Sequence, residues 1–362
     1  MAERVLVTGG SGYVALEIIA QLLENGDTVA TTVRDLNNAD KMRPLEALNE
    51  QFSGRLEVFE ANLLRRGSFG PAMEGCSKVF HVAASFLLPA QIKDSQKQLI
   101  EPAISGTRNV LETVCATPSI ERVIMTSTTG AIYGDYIDVR QMKDETPTEA
   151  YFNTSSTAET YPYHFSKVEA EKEAWRIAES QSRWCLIVMN PGLILGPSRT
   201  SASASGSLFL LDEMMRGLFF YGMPDWWMAT VDIRDAARAH LTAARSPSAS
   251  GRYILADKEM ISLIGMAQVL RKVHKRPWLL PRRQLPNWLV LTFGPIFGLD
   301  RRMMNTHLGI HFRLDNSRSI NELGVVYRPI EETLFDHYRS WSEHRAARRG
   351  GTRSAAARQR ES

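Results

Sequence analysis

The residues best suited to chemistry stand in YPYHFSK, positions 161–167, which opens an amphipathic helical stretch that runs on through VEAEKEAWRIAE. Tyr163 and Lys167 are four residues apart, and a helix brings such a pair onto one face. A free phenol titrates near about 10, and an adjacent cation favours its ionised form, so the pair suits the transfer of one proton to or from a bound molecule. The spacing alone is common in helices. Its meaning depends on the elements that hold it.

Those elements begin at the N-terminus. Residues 5–7 read as an apolar strand, TGGSGYVA follows, and Val14, Ile18 and Leu22 then set a helical spacing that ends at Gly26. A second strand is expected over 28–33. Gly9, Gly12 and Ala15 have the spacing GxxGxxA between that strand and helix. Gly9 permits a tight turn, Gly12 lets the backbone approach a phosphate, and the small residue 15 lets the helix pack close to the sheet. The helix N-terminus offers amides and a favourable dipole to a pyrophosphate. This context predicts a dinucleotide site at Thr8, Gly9, Gly10, Ser11, Gly12, Tyr13 and Val14. The second strand ends TTVRD, and Arg34 at its tip with Lys41 beyond suits the extra phosphate of NADP. Asp35 would take the ribose hydroxyls of NAD if the strand ran one residue further.

Strands are expected near 56–60, 78–83, 122–127 and 185–189, with helices between them, including one over 101–116. The fold class is therefore α/β, a Rossmann-type doubly wound parallel sheet of six or seven strands. After NPGLILGP, 190–197, a Ser/Ala-rich loop leads to a segment dense in Phe, Met and Trp. Such a cluster suits a core or a substrate lobe, and its place after the last strand–helix turn favours the lobe. VDIRDAARAHLTAA, 231–244, and a strand at 253–256 return to regular structure. The expected organisation is a dinucleotide-binding domain over 1–196, completed by about 231–256. A smaller, mainly helical C-terminal lobe would comprise 197–230 and 257–345, followed by a disordered basic tail over 346–362. Phe86, Leu87, Tyr133, Phe152, Leu193, Phe209 and Trp226 are candidate walls for a hydrophobic aldehyde or ketone.

The chain has 362 residues, 44% hydrophobic and 23% charged, enough for a sizeable core. Its net charge of +3 is uneven: 345–362 hold six Arg and one Glu, leaving 37 basic against 39 acidic groups in 1–344. Nothing in the near-neutral part points to nucleic acid. Three scattered cysteines, Cys76, Cys115 and Cys185, fit buried thiols in a reducing compartment. A strand starting near Arg4 leaves no room for a signal peptide, so a cytoplasmic monomer or homodimer is expected. The uncharged run 288–299 is too short to span a bilayer; it reads as a core or lobe helix, or alternatively as an interfacial membrane contact. His307 and His311, at helical spacing without a third ligand, read as packing or solvent-facing rather than a metal site.

TGGSGYVA, TVRD with Lys41, FHVAAS, RVIMTST, YPYHFSK, NPGLILGP and VDIRDAARAH together resemble an extended short-chain dehydrogenase/reductase over about residues 3–340. The nearest group is that of dihydroflavonol, cinnamoyl-CoA and aldehyde (ketone) reductases, with 3β-hydroxysteroid dehydrogenases more distant. The resemblance implies NADP along the sheet edge, with Asn62 and Leu63 beside adenine. Val82, Ala83 and Ala84 would lie at the fourth strand end, and Pro191 and Leu193 over the nicotinamide. It implies Tyr163 as general acid, Lys167 binding the ribose and lowering the Tyr163 pKa, and a strand-end hydroxyl on the carbonyl oxygen. The family usually has a serine there; this chain aligns Thr128, with Ser127 as the alternative donor. Asn62 replaces the usual Asp, and Ala15 the third Gly. The implied reaction is NADPH-dependent reduction of a hydrophobic aldehyde or ketone, or its reverse. A nucleotide-sugar epimerase or dehydratase and an NADP-sensing regulator are the competing readings.

Overall fold

The computed structural model describes residues 2–84, 91–200, 206–297 and 299–358. The chain alternates β1 (Arg4–Val7), α1 (Tyr13–Glu24), β2 (Thr28–Val33), α2 (Ala39–Gln51), β3 (Leu56–Glu60), α3 (Gly70–Met73) and β4 (Lys78–His81). It continues with α4 (Glu101–Ala116), β5 (Arg122–Thr126), α5 (Pro162–Glu179) and β6 (Cys185–Pro191). Beyond these come β7 (Leu193–Leu195), α6 (Gly206–Arg216), β8 (Trp227–Met228), β9 (Thr230–Asp232), α7 (Ile233–Arg245) and β10 (Gly251–Leu255). The remaining elements are β11 (Ile261–Ser262), α8 (Leu263–Arg271), α9 (Asn287–Phe293), α10 (Arg301–His307), α11 (Ser317–Leu323) and α12 (Ile330–Arg358).

Seven strands form one parallel sheet in the order β10-β6-β5-β4-β1-β2-β3. Side chains of a strand alternate between faces, and helices cover both, so the strands are apolar almost throughout. Val5, Val7 and Val29 pack on one side with Ile18 and Leu22 of α1 and Ala236 and Leu241 of α7. Leu6, Ala30, Val79 and Val123 pack on the other with Val110 and Val114 of α4 and Ala170 and Ala174 of α5. A third core joins α6, α8 and α12 through Leu211, Met214, Met215, Met266, Leu270 and Leu334.

Some boundaries differ from expectation. β4 stops at His81 because the Val82 and Ala83 amides donate to the Thr8 side chain instead of a ladder partner, at 3.1 and 3.0 Å. The segment from 346, expected to lack structure, continues α12 to Arg358; Ala and Arg are strong helix formers and extend a helix already nucleated by packing. Of the three thiols only Cys76 is buried, while Cys185 is half-buried and Cys115 exposed. No helix among the described residues is long and apolar enough to cross a membrane.

Candidate active site

In a parallel sheet all strands end on one edge, and the order reverses between β1 and β4, opening a crevice there. Gly9 turns at φ +74°, and a Cβ on it would lie 3.0 Å from Ala83 Cα across that crevice. A Cβ on Gly10 would lie 2.1 Å from Thr31 Oγ1, so the turn is pressed onto β2. Gly12 caps α1 in extended conformation with no side-chain cap bond. The first amides of the helix therefore lack intrahelical partners and suit an anion. Ser11 and Val14 are half-buried in this turn. The Thr8 hydroxyl oxygen accepts from the Val82 and Ala83 amides just past β4, and the buried Tyr13 phenol donates to Gly196 O at 2.9 Å.

β2 ends at Val33, which leaves Arg34 as the first residue past it, exposed. Asp35 is exposed, and its Oδ1 accepts from the Asn37 amide at 2.9 Å. Burial, and after it the Arg34 charge, push the Lys41 ammonium below its usual range, so two cations stand at this corner. After β3, Asn62 Oδ1 accepts from the Leu64 amide at 2.9 Å, and Asn109 of α4 donates to Leu63 O and Arg65 O to hold that loop. Pro191 closes β6, and Leu193 starts β7, half-buried.

Pro162 at the first position of α5 is preorganised for a helix start, placing Tyr163 in the first turn and Lys167 one turn on. Lys167 Nζ donates to Thr126 O at 3.2 Å, tying the helix to the end of β5. Burial pushes the Lys167 ammonium down to about 8, opposed by Glu171, and pushes the Tyr163 phenol up to about 12. The expected lowering of the Tyr163 pKa is absent here: desolvation of the phenol dominates.

The two candidate hydroxyls separate cleanly. Ser127, 4% exposed, donates to Glu171 Oε2 at 2.5 Å. Glu171, wholly buried, also accepts from Asn190 Nδ2 at 3.1 Å and from Arg252 Nε at 2.6 Å. Asn190 Nδ2 reaches Thr128 O as well, at 3.1 Å. Thr128 is half-exposed, and its Oγ1 accepts from the Gly130 amide at 3.2 Å, leaving its hydrogen to donate elsewhere. Glu171, Asn190 and Arg252 escaped the sequence reading; the four-residue step from Lys167 to Glu171 was the one available signal.

The candidate walls divide. Trp226 stacks on His307 at 5.3 Å, His307 lies 5.6 Å from the Tyr161 ring, Tyr161 stacks on His164 at 6.1 Å, and His164 is 5.9 Å from Tyr163. An aromatic column thus leads from Tyr163 into the C-terminal part. His164 Nδ1 is buried in it with no hydrogen-bond partner among the described residues. Tyr133 is core, packed edge-on against Tyr136 and Phe312. Phe152 lies under the Arg252 guanidinium at 4.0 Å and lines a cleft of about 800 Å³ with Trp175 and Arg318. Phe209 is exposed on α6. Phe86 and Leu87 lie outside the described residues. His311 falls beyond α10, which ends at His307, and stacks on Trp227, so the two histidines do not share a helix face.

A parallel sheet with a glycine turn at its switch point and a Tyr–Lys helix on the same edge defines a dinucleotide-dependent protein of the Rossmann class, and residues 5–256 match the NAD dependent epimerase/dehydratase family. The chain belongs to that family, as an extended short-chain dehydrogenase/reductase. Cinnamoyl-CoA reductase 1 of Petunia hybrida is 34% identical over 94% of this chain and 92% of its own. Anthocyanidin reductase of Arabidopsis thaliana is 36% identical over 70% of this chain and 75% of its own. Among solved structures, the yeast methylglyoxal/isovaleraldehyde reductase complexed with NADPH superposes with TM-score 0.75 at 22% identity, covering 94% of this chain and 99% of that one.

Proposed function

We propose that this chain is an NADPH-dependent reductase of hydrophobic aldehydes or ketones, with Tyr163 as the proton donor. The observation that carries this reading is the division of hydroxyls at the end of β5. Ser127 is spent on Glu171, and Thr128 keeps a hydrogen for a carbonyl oxygen on the edge where Lys167 is anchored. When bound, NADPH supplies the hydride that adds to the carbonyl carbon.

The chain's own groups do the rest. The backbone of Gly9, Gly10 and Gly12 cradles the pyrophosphate, and Arg34 with Lys41 takes the additional phosphate. Thr128 donates to the carbonyl oxygen and stabilises the charge that gathers there. Tyr163, kept protonated by burial, delivers its proton to the same oxygen, and Lys167 binds the ribose and stabilises the resulting phenolate. Residues 197–230 and 257–345 act as the substrate lobe, and the aromatic column ending at Trp226 favours an apolar, planar substituent.

NADPH consumption with a panel of aromatic and aliphatic aldehydes and ketones tests the reading. Turnover that requires NADPH supports it. Tightly retained NAD, with epimerisation or dehydration of a nucleotide sugar and no NADPH consumption, would replace it.

A further inference from the structure

We propose that the face built by α9, the turn that follows it and the neighbouring loop at 217–222 docks on an anionic lipid surface. Trp288 is 65% exposed and Ile296 77%, and Trp278, Phe293, Phe220 and Tyr221 are also exposed. The loop at 217–222 and the segment leading into α9 are held side by side. Gly217 abuts Leu279, Gly222 abuts Leu285, and the Met223 and Leu285 amides donate to Arg283 O and Met223 O at 3.1 and 2.7 Å. Exposed apolar groups scattered singly need no explanation, but this many on adjoining segments point to a contact surface.

Charge identifies the partner. From residue 260 to 299 the sequence has six cations, Arg271, Lys272, Lys275, Arg276, Arg282 and Arg283, and no Asp or Glu. Among the described residues only Lys272 of these is in an ion pair, with Glu331. A helix pair or a second copy with the same cations would meet like charge, whereas anionic headgroups complement them. Tryptophan and tyrosine beside aliphatic tips, with Arg and Lys nearby in the sequence, suit the boundary between headgroups and acyl chains. Docking is peripheral, since α9 has seven residues and cannot span. The face also adjoins the column leading to Tyr163. A Cβ on Gly294 would lie 2.6 Å from Met304 Sδ of α10, and α10 carries His307, which stacks on Trp226. A lipid-dissolved substrate would thus enter one helix away from the membrane contact.

The test is sedimentation of the full-length chain with vesicles of phosphatidylcholine alone and of phosphatidylcholine with about a third phosphatidylserine, without substrate, so that its outcome is independent of catalysis. The expected result is binding to the anionic vesicles only, weakened by added salt. The double variant Trp288→Ser/Ile296→Ser should lower the partition coefficient by about tenfold or more, and Arg282→Gln/Arg283→Gln by about fivefold or more, with melting temperature unchanged. No binding to either vesicle overturns the proposal. Binding unaffected by both double variants assigns it to the arginine-rich C-terminal end and also overturns it. So does a concentration-dependent dimer that the apolar variant dissolves, because the face then closes on a second copy.

Discussion

Ser127 donates its hydroxyl hydrogen to Glu171 across 2.5 Å of buried interior, and that bond leaves Thr128 as the strand-end hydroxyl available to a carbonyl oxygen. The two neighbours should therefore fail differently. Thr128→Ala is expected to reduce kcat by about 10²–10³ with melting temperature nearly unchanged, and Thr128→Ser to restore most of it. Ser127→Ala leaves a buried carboxylate oxygen with one partner fewer and should cost about 1–3 kcal/mol of stability, with kcat of the folded protein little altered. Steady-state kinetics and thermal melts on the three variants make the comparison.

Arg34, rather than Asp35, is expected to read the cofactor, because Asp35 Oδ1 already accepts from Asn37 N. Arg34→Ala should raise KM for NADPH by about tenfold to a hundredfold while leaving KM for NADH nearly unchanged. Asp35→Ala should change neither by more than about twofold, a size appropriate to an exposed turn. A larger loss with NADH in the Asp35 variant would reverse the assignment.

Lys167 sits where burial pushes its ammonium down to about 8 and the Glu171 carboxylate opposes that fall. As pH rises through that value the lysine loses its charge, so kcat/KM for reduction should decline on the alkaline side of about 8. Glu171→Gln removes the opposing charge and should move that decline to lower pH. Its melting temperature should fall as well, because buried Arg252 loses its counter-charge, but only a link to Lys167 moves the pH limb.

Histidine rings held below their usual range by burial set an acid limit on stability. Burial pushes His81 down to about 3 and His164, His240 and His337 to about 4, whereas in an unfolded chain each titrates near about 6.5. Between those values the unfolded chain binds more protons, so stability rises with pH across the window and is lost as pH falls below about 6.5 toward 4. Melting temperature measured across that range should drop steeply. Replacing His240, whose Nε2 meets Thr126 Oγ1 at 2.9 Å, with Asn should flatten the slope even though the starting stability is lower.

The sheet was legible in the sequence because parallel strands buried on both faces leave continuous apolar runs such as Val5 to Val7, bounded by turns whose glycines are needed for space. That Tyr163 and Lys167 fall one turn apart on one helix was legible because helical spacing is local. The division between Ser127 and Thr128 was not. It depends on Glu171 and Arg252, 44 and 125 positions beyond Ser127 in the numbering, meeting beneath the strand. The wall residues were least legible for the same reason. Aromaticity alone does not distinguish Trp226, which stacks on His307, from Phe152, which is covered by a guanidinium, or Tyr133, which fills a core. The continuation of α12 past 345 was not legible because composition reports solvation and not the helix already formed upstream.

In the proposed reaction a proton from Tyr163 completes carbonyl reduction. Its most direct test is NADPH turnover by Tyr163→Phe, which removes the hydroxyl and retains the ring against His164. The expected result is a fall in kcat for a hydrophobic aldehyde by about 10²–10⁴ with NADPH binding unchanged. Full turnover by the phenylalanine variant would contradict it.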